Sequence, residues 1–246
     1  YVYVDGGSVK INTPKQNVRW RYDGGAFYCD SWKFYHDSHG MWYDIISYDY
    51  GIFVFRITYK RVTYVFDLAG GLYNAWPQPL VEKVVGFGLS DLTHAQGRIR
   101  LYDPTGQVLL VTIIVDIVTP PTAEDRYSML FRIIAEAELD DLAFYVAYNL
   151  DVYNACPNWA FYQNSLDAVY QYYGPSIYRN DIPESRKCYA GFSSVMHTST
   201  HHDAVVNYYD VQSVASLSDY DFNYRDNDVA YGDDSGDCGI GLQWII

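Results

Sequence analysis

Basic residues are scarce: six Lys and eleven Arg stand against 30 Asp and Glu, a formal charge of −13. A phosphate backbone is gripped by Lys and Arg, so no specific nucleic acid is expected as a partner. The same shortage counts against an anionic membrane surface. No apolar run approaches the roughly 18 residues of a spanning helix, so no membrane contact is expected. Cysteine is also sparse. Cys29, Cys156, Cys188 and Cys238 lie far apart with no CxxC pair, which leaves a zinc site without a ligand pattern. Two disulfides or buried free thiols both fit such a set. Phosphate-cradling glycine motifs are missing, and so are low-complexity tracts and internal repeats. The chain opens on Tyr1 with no signal-peptide pattern: either a leader has been removed or the numbering starts inside a longer product.

Aromatic residues, in contrast, are plentiful: 27 Tyr, 11 Phe and 6 Trp. Exposed Tyr offers a large contact area at low entropic cost, which suits sugar binding or extensive protein–protein contact. With 49% apolar residues in 246, the chain also has material for a sizeable core.

The stretch 106–146 reads as three strands in succession. Val108–Val118 is rich in β-branched residues and closes at Pro120-Pro121. Tyr127–Ile134 follows, and Leu142–Tyr148 is entered through the acidic link Glu136–Asp141. Ahead of it, Asp103-Pro104-Thr105-Gly106 is a type I turn that predicts a hairpin between Arg98–Tyr102 and Gln107–Val111. Asp5-Gly6-Gly7 predicts another within Tyr1–Ile11. Ile52–Phe66 is a second strand region in which Phe53–Lys60 alternate with period two, Val81–Leu89 is a short strand, and residues 26–50 read as short strands and loops. Later, Lys187–Val195 and Ala204–Val214 are predicted strands. Leu166, Val169, Tyr170 and Tyr173 at helical spacing, with Ser165 as N-cap and Gly174-Pro175 as stop, predict one helix over Asn164–Tyr173. The sum is an all-β chain with one short helix, an antiparallel β-sandwich of jelly-roll type. One domain over residues 1–246 is expected, loop-rich from about residue 149.

Chemistry-bearing residues do not form a catalytic pattern. Glu136, Glu138, Asp140 and Asp141 share one turn, whereas glycoside hydrolysis needs two carboxylates facing each other across a cleft. His36 and His39, and His197, His201 and His202, lack a carboxylate at helical spacing and read as surface loops. Asp226, Asp228, Asp233, Asp234 and Asp237 sit among glycines but do not match a calcium loop. No catalytic residue, metal or cofactor is therefore expected.

Residues 106–119 with Pro120-Pro121, then Tyr127–Ile134, then Glu138–Val146, resemble the last two strands of picornavirus-like capsid jelly rolls. There a long strand ends at a Pro-bearing turn, and the closing strand carries an acidic pair before its aromatic end. Ser47-Tyr48-Asp49-Tyr50-Gly51 running into Phe53–Ile57 looks like the aromatic-Gly element of the same capsids. In length and mass the chain is also similar to the cypovirus polyhedrins. Tyr127-Ser128, Glu136–Asp141, Leu142–Val146 and Ser165–Tyr173 look like their late strand start, acidic link, apolar strand and helix.

These resemblances imply a viral structural protein that self-assembles, first as an occlusion-body matrix embedding virions, alternatively as an icosahedral shell. Its partners would be itself and other viral structural proteins, in the virion or occlusion body of an infected cell. From another class, a secreted carbohydrate-binding or glycoside-cleaving β-sandwich shares the aromatic, Asp-rich surface. For self-assembly, the expected contacts are Trp32, Tyr35, Trp42, Tyr48, Tyr50, Trp159 and Tyr162, since Tyr and Trp anchor interfaces.

Overall fold

Turn chemistry sets the first hairpin. Gly6 and Gly7 both take positive φ (47° and 87°), which glycine adopts without steric cost, so Asp5 pairs with Ser8 across a two-residue turn. The computed structural model describes residues 1–22, 27–37, 40–46, 52–68, 81–122, 124–150, 158–173, 189–205, 229–231 and 239–246. Most of the described residues lie in strands and no α-helix occurs among them, so the chain is all-β with antiparallel sheets.

The strands in chain order are β1 (Val2–Asp5), β2 (Ser8–Asn12), β3 (Gln16–Arg21), β4 (Tyr28–His36), β5 (Met41–Ile46) and β6 (Ile52–Tyr59). Next come β7 (Val62–Asp67), β8 (Val81–Asp91), β9 (His94–Tyr102), β10 (Leu109–Val118), β11 (Ser128–Ala135) and β12 (Asp141–Asn149). The last are β13 (Asn158–Gln163), β14 (Ala168–Tyr173), β15 (Tyr189–Ser193), β16 (His201–Val205), β17 (Val229–Tyr231) and β18 (Gly239–Ile245). Contacts divide them into two units, Tyr1–Trp42 with Phe55–Leu142, and Tyr43–Val54 with Ala143–Ile246.

The first unit holds β1 to β4 with the start of β5 from one sheet, and the sheet β11-β10-β9-β8. Trp20 stacks on Phe27 at 5.1 Å, Phe27 on Phe87 at 5.5 Å, and Trp32 meets Tyr127 edge-on at 5.7 Å. Period two explains the interior face of β10: Val111, Ile113, Val115 and Ile117 are fully buried. Cys29 lies buried here as a free thiol, so a two-disulfide framework does not form. Burial pushes its thiol pKa well up, which marks it as inert. The other three Cys lie outside the described residues. Asp103 caps its turn as the Pro104 pattern predicts. Gly106 N–H donates to the Asp103 carbonyl at 2.8 Å, and the carboxylate accepts Val108 N–H at 3.1 Å and the Thr105 hydroxyl at 2.8 Å.

Three expectations change. Ile52–Phe66 is two strands, not one, joined by Lys60 and Arg61 at positive φ (50° and 65°). The acidic link explains how non-glycine residues hold that turn. The Asp140 carboxylate accepts Arg61 N–H at 2.8 Å, Asp140 N–H donates to the Thr58 carbonyl at 2.8 Å, and Asp141 pairs with Arg56 at 3.0 Å. The third strand of the 106–146 stretch also leaves its sheet, since β12 pairs with β18 rather than with β10 or β11.

The helix over Asn164–Tyr173 is the third correction. Only a 3-10 turn, Asn164–Leu166, forms. Asp167 then takes φ 44°, and Ala168–Tyr173 is a strand paired on both sides. Val169, Tyr170, Tyr172 and Tyr173 suit a pleated sheet, and tertiary pairing overrides the apparent helical spacing.

In the second unit, β15-β14-β13-β17 form one sheet, and β16-β18 with β12 form another. An aromatic chain runs through it: Phe53 to Phe144 at 6.3 Å, Phe53 to Tyr148 at 5.9 Å, Tyr148 to Phe192 at 5.6 Å and Phe144 to Trp244 at 5.6 Å. The predicted strand Lys187–Val195 is realised as β15. Of Ala204–Val214, the described part ends with β16.

Candidate self-association surface

β4 and β5 carry three of the expected contact residues, and the structure gives them different surroundings. Trp32 is buried, with its ring against Tyr127, so in this chain it anchors the sandwich interior. Tyr35 is half-buried and meets Trp42 edge-on at 5.5 Å. Trp42 itself is 44% exposed, and its neighbour Met41 is 57% exposed. Both sit at the start of β5, an outer strand of its sheet. They follow a turn in which Gly40 N–H donates to the His36 carbonyl at 2.9 Å with φ 61°. Successive residues of a strand point to opposite faces, so Met41 and Trp42 present apolar surface on both sides of the sheet rim. Tyr48 and Tyr50 lie outside the described residues. Trp159 and Tyr162 lie in β13, opposite Tyr172 and Val169 of β14.

His36 is buried, His197 is exposed, and His201 and His202 belong to β16 rather than to a loop. His39, Asp226, Asp228, Asp233, Asp234 and Asp237 lie outside the described residues. Glu136 and Glu138 are exposed.

Sequence reading missed one polar cluster. Asp116 is buried on β10 and accepts from His94 Nε2 at 2.7 Å, Gln96 Nε2 at 2.7 Å and an Arg132 guanidinium N–H at 3.0 Å. The four residues come from three adjacent strands. Burial by itself raises the Asp116 pKa, but the bonds from Gln96, His94 and Arg132 outweigh it and hold the carboxyl below its ordinary range. The group works as a clasp across β9, β10 and β11. The available signal was a single Asp within the apolar run LLVTIIVDIV, where a buried charge demands partners.

Asp116→Ala should therefore destabilise the fold by about 2–3 kcal/mol, because Arg132, His94 and Gln96 lose their acceptor. The sign of the pH effect follows from the lowered pKa. The clasp's contribution is complete above the unfolded carboxyl value of about 4 and fades as pH falls through the lower folded value. Urea titrations at pH 7 and pH 3 check both points: the difference between wild type and variant should shrink at the lower pH.

Arg98 and Arg100 lie on the same sheet face, on β9 across from Ile114 and Thr112. Comparison with protein-family models, curated proteins and solved structures found no match.

Proposed function

We propose that this chain is a structural protein whose work is self-association. One observation carries the reading: a Trp42 side chain held in the open on an outer strand, braced by Tyr35. A pre-positioned aromatic loses little entropy on docking and brings a large apolar area, as interface anchors do. The assembled form we favour is an occlusion-body matrix embedding virions, in keeping with the polyhedrin likeness. An icosahedral jelly-roll shell is the second form. With a charge of −13 per chain, apolar contacts must outweigh repulsion between copies.

Trp42→Ala should abolish assembly and leave a folded monomer, since a residue this exposed contributes little to the fold. Sedimentation velocity with far-UV circular dichroism reads both. Normal assembly of the variant, or loss of its fold, would remove Trp42 from the contact.

A carbohydrate-binding reading draws on the same face, where Trp42 stands two residues from the exposed carboxylate of Asp44. Sugars stack on exposed rings and hydrogen-bond to neighbouring acids. Glycan-array binding by a soluble monomer, lost in Trp42→Ala, would favour that function over self-association.

A further inference from the structure

Charge is shared unequally between the two units. Residues 1–42 and 55–142 hold 13 of the 17 Lys and Arg against 15 of the 30 Asp and Glu, a formal −2. Residues 43–54 and 143–246 hold four against 15, a formal −11. The second unit therefore carries most of the negative excess that keeps copies apart.

In the first unit, part of the basic charge lies on one sheet face. Val111, Ile113, Val115 and Ile117 of β10 are buried on one side of the sheet, so Thr112, Ile114 and Asp116 belong to the other. Register places Arg98 of β9 and Arg132 of β11 on either side of Ile114, and Arg100 and Ile134 on either side of Thr112. Arg98 and Ile134 are exposed. Asp116 is already engaged by His94, Gln96 and Arg132. Neither Arg98 nor Arg100 has an ion pair among the described residues. Three Arg stand on this face against Asp116 and against Glu82, the residue across from Arg100 on β8. The face is thus positive in a chain of −13.

We infer that this Arg face of β9, β10 and β11 docks on the acidic second unit of another copy, so that copies join head to tail. The inference rests on the self-association reading and names one of its contacts.

Charge and composition both point to a second copy as occupant. Ile114, Leu130 and Ile134 share the face with the guanidinium groups. Apolar area mixed with Arg is the make-up of protein interfaces, where Arg is enriched. Three Arg are too few to grip a phosphate backbone. Pairing the face with itself would set guanidinium against guanidinium, which is unfavourable. The complementary charge in another copy is the −11 of its second unit. Contact between two unlike surfaces also leaves each new copy with one basic face or one acidic unit still free. Growth then continues into a ring, a filament or a lattice rather than stopping at a dimer.

Sedimentation velocity on the full chain at neutral pH tests the contact with Arg98→Glu. Lys60→Glu, at an exposed turn of the same unit, is the control, and each variant brings the chain to −15. Arg98→Glu should weaken association about 10-fold or more, and Lys60→Glu should stay within about 3-fold of wild type. Added to wild type, Arg98→Glu should shorten the assemblies as its share rises, because its acidic unit still docks while its own face accepts no further copy. Far-UV circular dichroism checks the fold, and Arg98→Gln serves the same comparison if the Glu variant does not fold. Equal losses in Arg98→Glu and Lys60→Glu, or no loss in Arg98→Glu, overturn the Arg face and leave self-association standing. Wild-type assemblies that exclude Arg98→Glu and keep their size overturn the head-to-tail contact. Absence of association in the wild type sinks both the contact and the function it rests on.

Discussion

Above about pH 10 the protein should lose stability steeply, and an assembly built from it should disperse. Tyr127 sets this limit. Burial raises its pKa well above the ordinary value of 10, and the charge of nearby Cys29 would raise it further. The nearby Trp20 side chain acts in the opposite direction and offsets only part of that. Cys29 behaves in the same direction from its ordinary value of 9, since burial disfavours its thiolate. Both groups have folded pKa values above their unfolded ones. Their contribution is therefore intact below the unfolded values, about 9 for the thiol and 10 for the phenol. It is lost as pH climbs through the raised folded values. With 27 Tyr and six Lys in the chain, strong alkali also multiplies the negative charge between copies.

Turbidity and circular dichroism followed from pH 6 to 12 should show a flat plateau and then an abrupt fall. Tyr127→Phe keeps the ring and removes the proton. It should leave stability at pH 7 within about 1 kcal/mol of wild type and move the alkaline fall to higher pH. A gradual loss centred near pH 5–7, or a Tyr127→Phe curve that falls at the wild-type pH, would exclude Tyr127 ionisation as the switch.

Trp20→Ala should unfold the first unit outright or leave it marginal. Trp20 is 0% exposed, stacks on Phe27 and supplies the indole N–H beside Tyr127. Truncating a buried Trp costs about 3–5 kcal/mol, against a total stability of about 5–15 kcal/mol for a domain. A packed interior relaxes poorly around so large a void. Urea unfolding should show a midpoint far below wild type, or no native baseline. Trp20→Phe should recover part of the loss by refilling the stack. An alanine variant within 1 kcal/mol of wild type would contradict the packing described here.

Much of the fold was legible because strands advertise themselves by period two and hairpins by their turn residues. Gly6-Gly7 and Asp103–Gly106 announced their turns, and β10 announced its buried face through Val111, Ile113, Val115 and Ile117. Lys60-Arg61 did not, because its positive φ values are held by Asp140, about eighty residues away in sequence. Ser165–Tyr173 misled because Leu166, Val169, Tyr170 and Tyr173 fit a helical spacing as well as a strand, and pairing with β13 and β15 decided between them. Partner choice by β12 is likewise long-range: its mate β18 lies at the far end of the chain.

The surface was harder to read than the fold. Aromatic clusters flagged Trp32 and Trp42 equally, and only the packed structure buries the first and bares the second. The Asp116 clasp was hidden for the same reason, since His94, Gln96 and Arg132 converge only through strand register. Which strand stands at an open edge depends on sheet order, which pattern alone does not specify.

Electron microscopy of the purified full chain at neutral pH, with sedimentation velocity on the same sample, tests self-association most directly. An ordered lattice or closed shell, dispersing to single chains in strong alkali, is the expected result. A uniform single-chain species at every concentration up to the solubility limit would contradict it.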